Sequence, residues 1–401
     1  MNSNKKSITD YDLSNKRIII RCDLNVPFLN GEISDDNRIK ASLQTINYAL
    51  ENNAKVIVMS HLGKVKKEED KKNNSLEKIA TYLSKLISNK VYFCNETRGI
   101  KLEKMVKDLN NKEVLVIENT RFEDVIDKKE SSNNSELARY WASLGDIFIN
   151  DAYGSCHRTH ASVVGIAQYL PSGLGFLPLK EIKALDLVLE NPKRPYIVIM
   201  GGAKVKDKIK LIENLITKAD KILIGGGMCY TFLKAQGKEI GTSLLDEESL
   251  KFCANILNKY GKKIILPIDV KVTSKFEDTS NYETVSTSKI PNYKMGLDIG
   301  SKTEKLFNEE LKGAKSIILN GPVGVFEFEN FSNGTKTLLE SLSKLDGKVI
   351  ISGGDSAAAA IKFGYKNSFY HISTGGGATL EYIQGDDLPG ISIIGVKCEK
   401  F

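Results

Sequence analysis

The chain has 401 residues, 57 of them Lys or Arg against 50 Asp or Glu, with a formal charge of +7 and a 41% hydrophobic content. That apolar share can bury a large core split into two domains of about 150–200 residues. The mild charge, without a basic stripe or tail, speaks against nucleic acid as a partner. No apolar run nears the roughly 18–20 residues that span a bilayer, and the N-terminus lacks a secretory apolar block. Six scattered cysteines (22, 94, 156, 229, 253 and 398) form no C-x-x-C, so a soluble, reduced, cytoplasmic protein is expected.

From the N-terminus, short β-branched runs alternate with helical patterns: RIIIRC (17–22), KVIVM (55–59), VYF (91–93), VLVI (114–117) and DIFI (146–149). Next comes 177–195, where Leu179, Ile182, Leu185 and Leu189 recur at helical spacing before Pro192 and Pro195, which predicts a joining helix. A second series succeeds it: YIVIM (196–200), KILI (221–224), KIILPI (263–268), SIILN (316–320) and KVIIS (348–352). Such alternation predicts an α/β chain with two Rossmann-like, doubly wound parallel sheets. The expected divisions are 1–176, the linker 177–195, 196–385 and a tail 386–401. The stretch 274–294 reads as an irregular insertion.

The segments just after the strands carry chemistry. RIIIRC leads into DLNVP, KVIVM into SHLGK, VLVI into ENTRF, and DIFI into NDAYGSCHR; YIVIM leads into GGAKVKDK, KILI into GGGM, SIILN into GPVGVFE, and KVIIS into GGDS. These motifs fall at the carboxyl ends of strands, where open α/β sheets bind ligands. Ordinary Gly- and Asp-rich turns would explain some of them but not all eight.

The two halves differ in kind. The first offers side-chain cations, Arg21, Arg38, Lys64, Arg121 and Arg158, with His61, His157 and His160. Only eight of the 57 basic residues are arginine and none lies beyond Arg194, so each arginine is a candidate for forked binding of carboxylate or phosphate. Within NDAYGSCHRTHAS, residues 150–162, Asp151, His157, Arg158 and His160 leave a metal site, an acid/base pair and an anion cradle all open. The second half offers glycine clusters: Gly201-Gly202, Gly225-Gly226-Gly227, Gly353-Gly354 and Gly375-Gly376-Gly377, the last three opening predicted helices. Such glycines admit a phosphate to the backbone and to helix N-termini. Lys204 and Lys208 lie four apart and share a face if a helix has begun there. Asp207 and Asp355 are candidate Mg²⁺ ligands. Neither G-x-x-x-x-G-K-[ST] nor G-x-G-x-x-G occurs, which weakens the common NTPase and dinucleotide readings.

Taken in order, RCDLNVP, SHLGK, ENTRF, NDAYGSCHRTHAS, GGAKVKDK, GPVGVFE, GGDS and STGGGATLEYIQG resemble the phosphoglycerate kinase family, from about residue 21 to 385. The resemblance implies reversible phosphoryl transfer between 1,3-bisphosphoglycerate and Mg·ADP, giving 3-phosphoglycerate and Mg·ATP, by a monomer whose two domains close about a hinge. It implies that the tail returns to the N-terminal domain. It assigns Asp23 and Asn25 to the glycerate, Arg38 to the transferring phosphoryl group, and His61, Lys64, Arg121 and Arg158 to the distal phosphate. Lys204 would track the phosphoryl group, and Gly376, in Gly375–Gly377, would offer N–H groups to it. Lys208 would hold nucleotide phosphates, Asp207 and Asp355 the metal, and Glu327 the ribose. Gly225 to Gly227 and Gly296 would wall the adenine, with Gly353, Gly354, Asp355 and Ser356 also on the nucleotide.

Four positions depart from the family pattern. Lys64 stands where an arginine is usual, keeping charge and losing the fork; Ser356 replaces a threonine; Cys22 and Leu24 replace Val and Phe. The acceptor carboxylate, with a pKa of about 4, is already ionised at neutral pH, so no general base is needed. On that reading the histidine loop becomes an anion cradle with Arg158 as its direct ligand, His157 and His160 orienting it, and His371 structural. A nucleotide-dependent dehydrogenase and a non-catalytic anion-binding protein are the competing readings; ATP-dependent turnover of 3-phosphoglycerate separates them.

Overall fold

The computed structural model describes residues 4–397. The chain forms two compact units. One comprises the residues up to Lys183 together with those from Asp387 on, and the other Ala184–Asp386.

The first unit is built on a six-stranded parallel sheet in the order Val91–Cys94, Val114–Ile117, Lys55–Met59, Arg17–Cys22, Ile147–Asp151, Ser172–Leu174. Its central strands carry apolar runs, 18–20, 56–59 and 147–149, because both faces are covered. Alternation sends Ile18, Ile20, Val56 and Val58 into one core, and Ile19, Ile57, Met59 and Phe148 into the other with Trp141. Every strand therefore ends at the same edge, where the polar motifs begin.

The second unit repeats the plan, in the order Ile264–Ile265, Lys221–Ile224, Tyr196–Met200, Ser316–Asn320, Lys348–Ser352, His371–Ile372. The edge strands Ser172–Leu174 and His371–Ile372 are too short to announce themselves in sequence. The KIILPI run shrinks to Ile264–Ile265, since Pro267 has no N–H to give a ladder.

The stretch 274–294 is not wholly irregular. Glu283–Ser286 pairs antiparallel with Asp269–Thr273, which pairs on its other side with Met295–Ile299. The strand ETVS is polar and mostly exposed, so it carries no apolar alternation to read.

The joining helix runs Phe176–Leu189, shorter than 177–195, and the boundary between the units falls inside it, after Lys183. Its first turn is fixed from the sheet edge. Phe176 N–H donates to Thr45 Oγ1 (3.0 Å), Leu177 N–H to Asp151 Oδ1 (3.1 Å), and Thr45 Oγ1 to the same carboxylate oxygen (2.8 Å).

The tail packs on the first unit. Lys6 N–H donates to Gly395 O, Gly390 N–H to Cys156 O, and Asn150 Nδ2 to Gly390 O, and Lys5 bridges Val396. Cys398 and residues 399–401 lie outside the described residues.

Candidate active site

The first strand turns out of the sheet at Asp23, whose nearly buried carboxylate receives Arg38 Nη1 on both oxygens at 2.9 Å. Two residues on, Asn25 Oδ1 accepts the Gly63 N–H (2.8 Å), tying this loop to the SHLGK loop. Gly63 holds φ +60°, and a Cβ there would sit 1.9 Å from Asn74 Oδ1, so glycine is favoured. Lys64 comes next, exposed.

Arg21 lies wholly inside and donates Nη1 to Cys22 O. Its Nη2 is 3.1 Å from His61 Nδ1. A guanidinium can only donate, so His61 Nδ1 must accept and the imidazole proton sits on Nε2. Burial first, then the charges of Arg21, Arg121 and Arg38, hold His61 well below the usual imidazole range; it is neutral at physiological pH. His160 is pushed down to about 3 by burial and by Arg121, Arg21 and Arg158. Four arginines thus converge electrostatically on two neutral histidines. Arg121 Nε is buried without a hydrogen-bond partner among the described residues, while its Nη1 stands 3.8 Å from Asp124. Arg158 is exposed.

Asp151 takes no part in this cluster. It is buried under the joining helix, and desolvation raises its carboxyl to about 8. Among the described residues no group of three or more His, Cys, Asp or Glu side chains could hold a metal alone.

In the second unit, the loops after Tyr196–Met200 and Lys221–Ile224 both meet the loop after Ser316–Asn320. Gly202 N–H donates to Pro322 O (2.9 Å) and Gly226 N–H to Val323 O (3.0 Å). Gly226 holds φ +63°, and a Cβ would come within 2.8 Å of Gly202 and Pro322 backbone. The three glycine-lined loops leave a cavity of about 450 Å³. Gly202, Gly226, Gly227 and Gly296 line it with Leu244, Phe276, Leu297 and Val325, and Glu327 and Asp355 stand at it. Its walls are apolar and flat-chained, with two carboxylates as the polar handles, the build of a small-molecule site.

A model of the phosphoglycerate kinase family matches residues 8–386. The chain belongs to the phosphoglycerate kinase family. A phosphoglycerate kinase of Fusobacterium nucleatum is 55% identical over 98% of this chain and 100% of its own length; one of Listeria innocua is 54% identical over the same shares. The solved phosphoglycerate kinase of Coxiella burnetii superposes with a TM-score of 0.89 at 37% identity, covering 97% of this chain and 98% of its own. The protein is accordingly a phosphotransferase of the phosphoglycerate kinase type, not a dehydrogenase and not a passive anion binder.

In the second unit of this kinase, Gly227, Gly353 and Gly376 cap the N-termini of the helices Met228–Ala235, Gly354–Lys362 and Gly377–Gln384. Lys204 and Lys208 do not share a helical face: a 3₁₀ turn covers Lys206–Lys208 and the α-helix begins at Ile209. The shared face needed a helix that Gly201-Gly202 and the turn at Ala203 delay. Lys204 is exposed on the loop, whereas Lys208 Nζ donates to Asn320 through both its backbone and side-chain oxygens. Ser356 is buried, its Oγ accepting from Gly321 N–H (2.6 Å). It meets the cavity only through the loop it holds. Asn320 escaped the sequence reading because nothing in SIILNG marks it until Lys208 is seen against it.

Burial lowers Lys208 to about 8, with Asp355 and Asp207 pulling the other way. We expect kcat/KM for the nucleotide to be level below about pH 8 and to fall above it, as the free enzyme loses this ammonium. A pH profile of the wild type against Lys208→Met measures this; the variant should lack the alkaline limb, and an identical limb would assign it elsewhere.

Proposed function

We propose that the first unit binds 3-phosphoglycerate or 1,3-bisphosphoglycerate through Asp23, Asn25, Arg38, His61, Lys64, Arg121 and Arg158. The second binds ADP or ATP through Lys204, Lys208, Glu327, Asp355 and the glycine loops. The observation that carries this reading is the gathering of Arg21, Arg38, Arg121 and Arg158 around neutral His61 and His160, with a buried Arg121 donor left unsatisfied. Unsatisfied buried donors cost about 1–3 kcal/mol, and a small polyanion would satisfy this one.

Mg²⁺ fits the nucleotide half. It favours one or two carboxylates plus substrate phosphates and retained water. Asp207 and Asp355 are both exposed carboxylates within electrostatic reach of Lys208, and they would hold the ion, which neutralises phosphate charge when bound. The chain's own work is positioning and charge neutralisation: Arg38 and Lys204 meet the phosphoryl oxygens, and the Gly376 helix start offers N–H groups. No side chain has to move a proton, because the acceptor carboxylate is already ionised. Direct transfer requires the two ligands to meet where water is scarce, since water would hydrolyse the acyl phosphate.

We read the protein further as a cytoplasmic monomer acting on small molecules and not on nucleic acid; the even mixture of charges supports this, and no described helix is long and apolar enough to cross a membrane. Calorimetric titration of Asp355→Ala tests the division of roles. Mg·nucleotide affinity should weaken about tenfold or more, the scale of one lost charged partner, with 3-phosphoglycerate affinity unchanged. Equal loss of both would overturn it.

A further inference from the structure

Behind His61 lies a buried chain of groups in which Arg21 and Ser162, at the start of RCDLNVP and the end of NDAYGSCHRTHAS, meet Glu130, which no family motif contains. Glu130, in the loop before the helix Ser135–Ser143, is fully buried. Its Oε2 accepts the Ser162 N–H (3.0 Å) and its Oε1 accepts the Ser162 hydroxyl. The same hydroxyl oxygen stands 2.9 Å from Arg21 Nε. Arg21 can only donate, so the Ser162 hydroxyl accepts from Arg21 and donates its own hydrogen bond to Glu130. Arg21 then presents Nη2 to His61 Nδ1 at 3.1 Å. Glu130 O also accepts the Ala161 N–H (2.9 Å), and Glu130 Oε1 is 3.9 Å from His160 Nδ1.

A guanidinium with no solvent exposure needs an opposing charge nearby, because an unpaired buried ion is strongly disfavoured. Glu130 is an equally buried carboxyl, linked to it through one hydroxyl; burial raises its pKa and the Arg21 charge pulls it back, and Asp23 is the other carboxylate in electrostatic reach of Arg21. We propose that Glu130 is a positioning residue for the triose substrate: acting through Ser162 and Arg21, it locks His61 in the Nε2–H tautomer, so that the imidazole offers a neutral N–H donor to the substrate anion. The proposal rests on the placement of His61 in the 3-phosphoglycerate site. It explains why a residue surrounded by arginines is a histidine held neutral: Arg121 and Arg158 supply charge, and His61 supplies direction without further repulsion among the cations.

Glu130→Gln is the sharpest test. Its amide has one acceptor oxygen for two donors, the Ser162 N–H and the Ser162 hydroxyl, so in either orientation one of them faces an NH2 and the link to Arg21 is disturbed. Arg21 should then leave its seat. Nitrogen NMR of histidine-labelled full-length protein, assigned with His61→Gln, reads the tautomer directly. We expect His61 as Nε2–H in the wild type and a mixture of tautomers in Glu130→Gln. KM for 3-phosphoglycerate should rise about tenfold, the scale of one misdirected hydrogen bond to a charged ligand, while kcat and KM for ATP stay within about twofold. Ser162→Ala keeps both charges and cuts only the link; it should give the same signature more weakly, and it serves if Glu130→Gln does not fold. An unmixed Nε2–H tautomer in whichever variant folds, or a parallel rise in KM for ATP, overturns the proposal. Wild-type His61 signals unmoved by 3-phosphoglycerate overturn it through the site assignment instead.

Discussion

Replacing Arg38 by Ala should lower kcat by roughly 10²-fold or more, about 2.7 kcal/mol of transition-state stabilisation, the usual scale for losing a preorganised charge partner. The guanidinium is held by Nη1, which donates to both oxygens of the nearly buried Asp23, while the side chain as a whole is 38% exposed. It is therefore aimed and still partly open to a ligand. Arg38→Lys keeps the charge and loses the planar fork that Asp23 orients, so it should recover part of the rate and not all of it. Folding stability should change little, since half-exposed ion pairs contribute only about 0–1 kcal/mol. Steady-state rates from an assay coupled to acyl-phosphate consumption, alongside thermal melts, decide the matter. A folded Arg38→Ala enzyme within threefold of wild-type kcat would show the side chain to be misassigned.

The same residues show where sequence is legible and where it stops. Strands such as RIIIRC and SIILN could be read because both faces of each sheet are covered, which forces an uninterrupted apolar run. Glu283–Ser286 could not, since an exposed edge strand has no buried face to pattern. The rarity of arginine in a lysine-rich chain marks the cation cluster, but rarity is blind to depth. Arg21 has the same sequence credentials as Arg38 and is fully buried, serving His61 from behind. Asp151 sits among the cradle's residues in the chain and faces the joining helix in space. Glu130 had no signal at all, and Ser162 only its place at the end of NDAYGSCHRTHAS: an acid in a polar loop and a serine after His160 become meaningful only once both are found against Arg21. Contacts between loops at the ends of different strands depend on strand order, and order is the property that periodicity does not encode.

Lys204→Ala should be as damaging as the loss of Arg38, for a reason that lies in its loop. The backbone around it is pinned. Gly202 N–H is bound to Pro322 O (2.9 Å) and Lys206 N–H to Asp246 Oδ2 (2.8 Å), so the chain on either side of Lys204 is fixed. Its side chain is exposed on this anchored base, unlike that of Lys208, which is drawn in against Asn320. A flexible four-carbon stem on a rigid loop can keep an ammonium beside a group that changes partners, which a fixed cation cannot do. The two lysines should then separate kinetically. Lys204→Ala should lower kcat by roughly 10²–10³-fold, as for removal of a donor that acts mainly in the transition state, with KM for either substrate within about threefold. Lys208→Met should instead raise KM for the nucleotide, since its charge is held in one place and is felt in ground state and transition state alike. Arginine at 204 should restore part of the rate by restoring charge. If Lys204→Ala raised KM for the nucleotide and spared kcat, the two lysines would be doing one job, and the assignment of Lys204 to the moving phosphoryl group would fail.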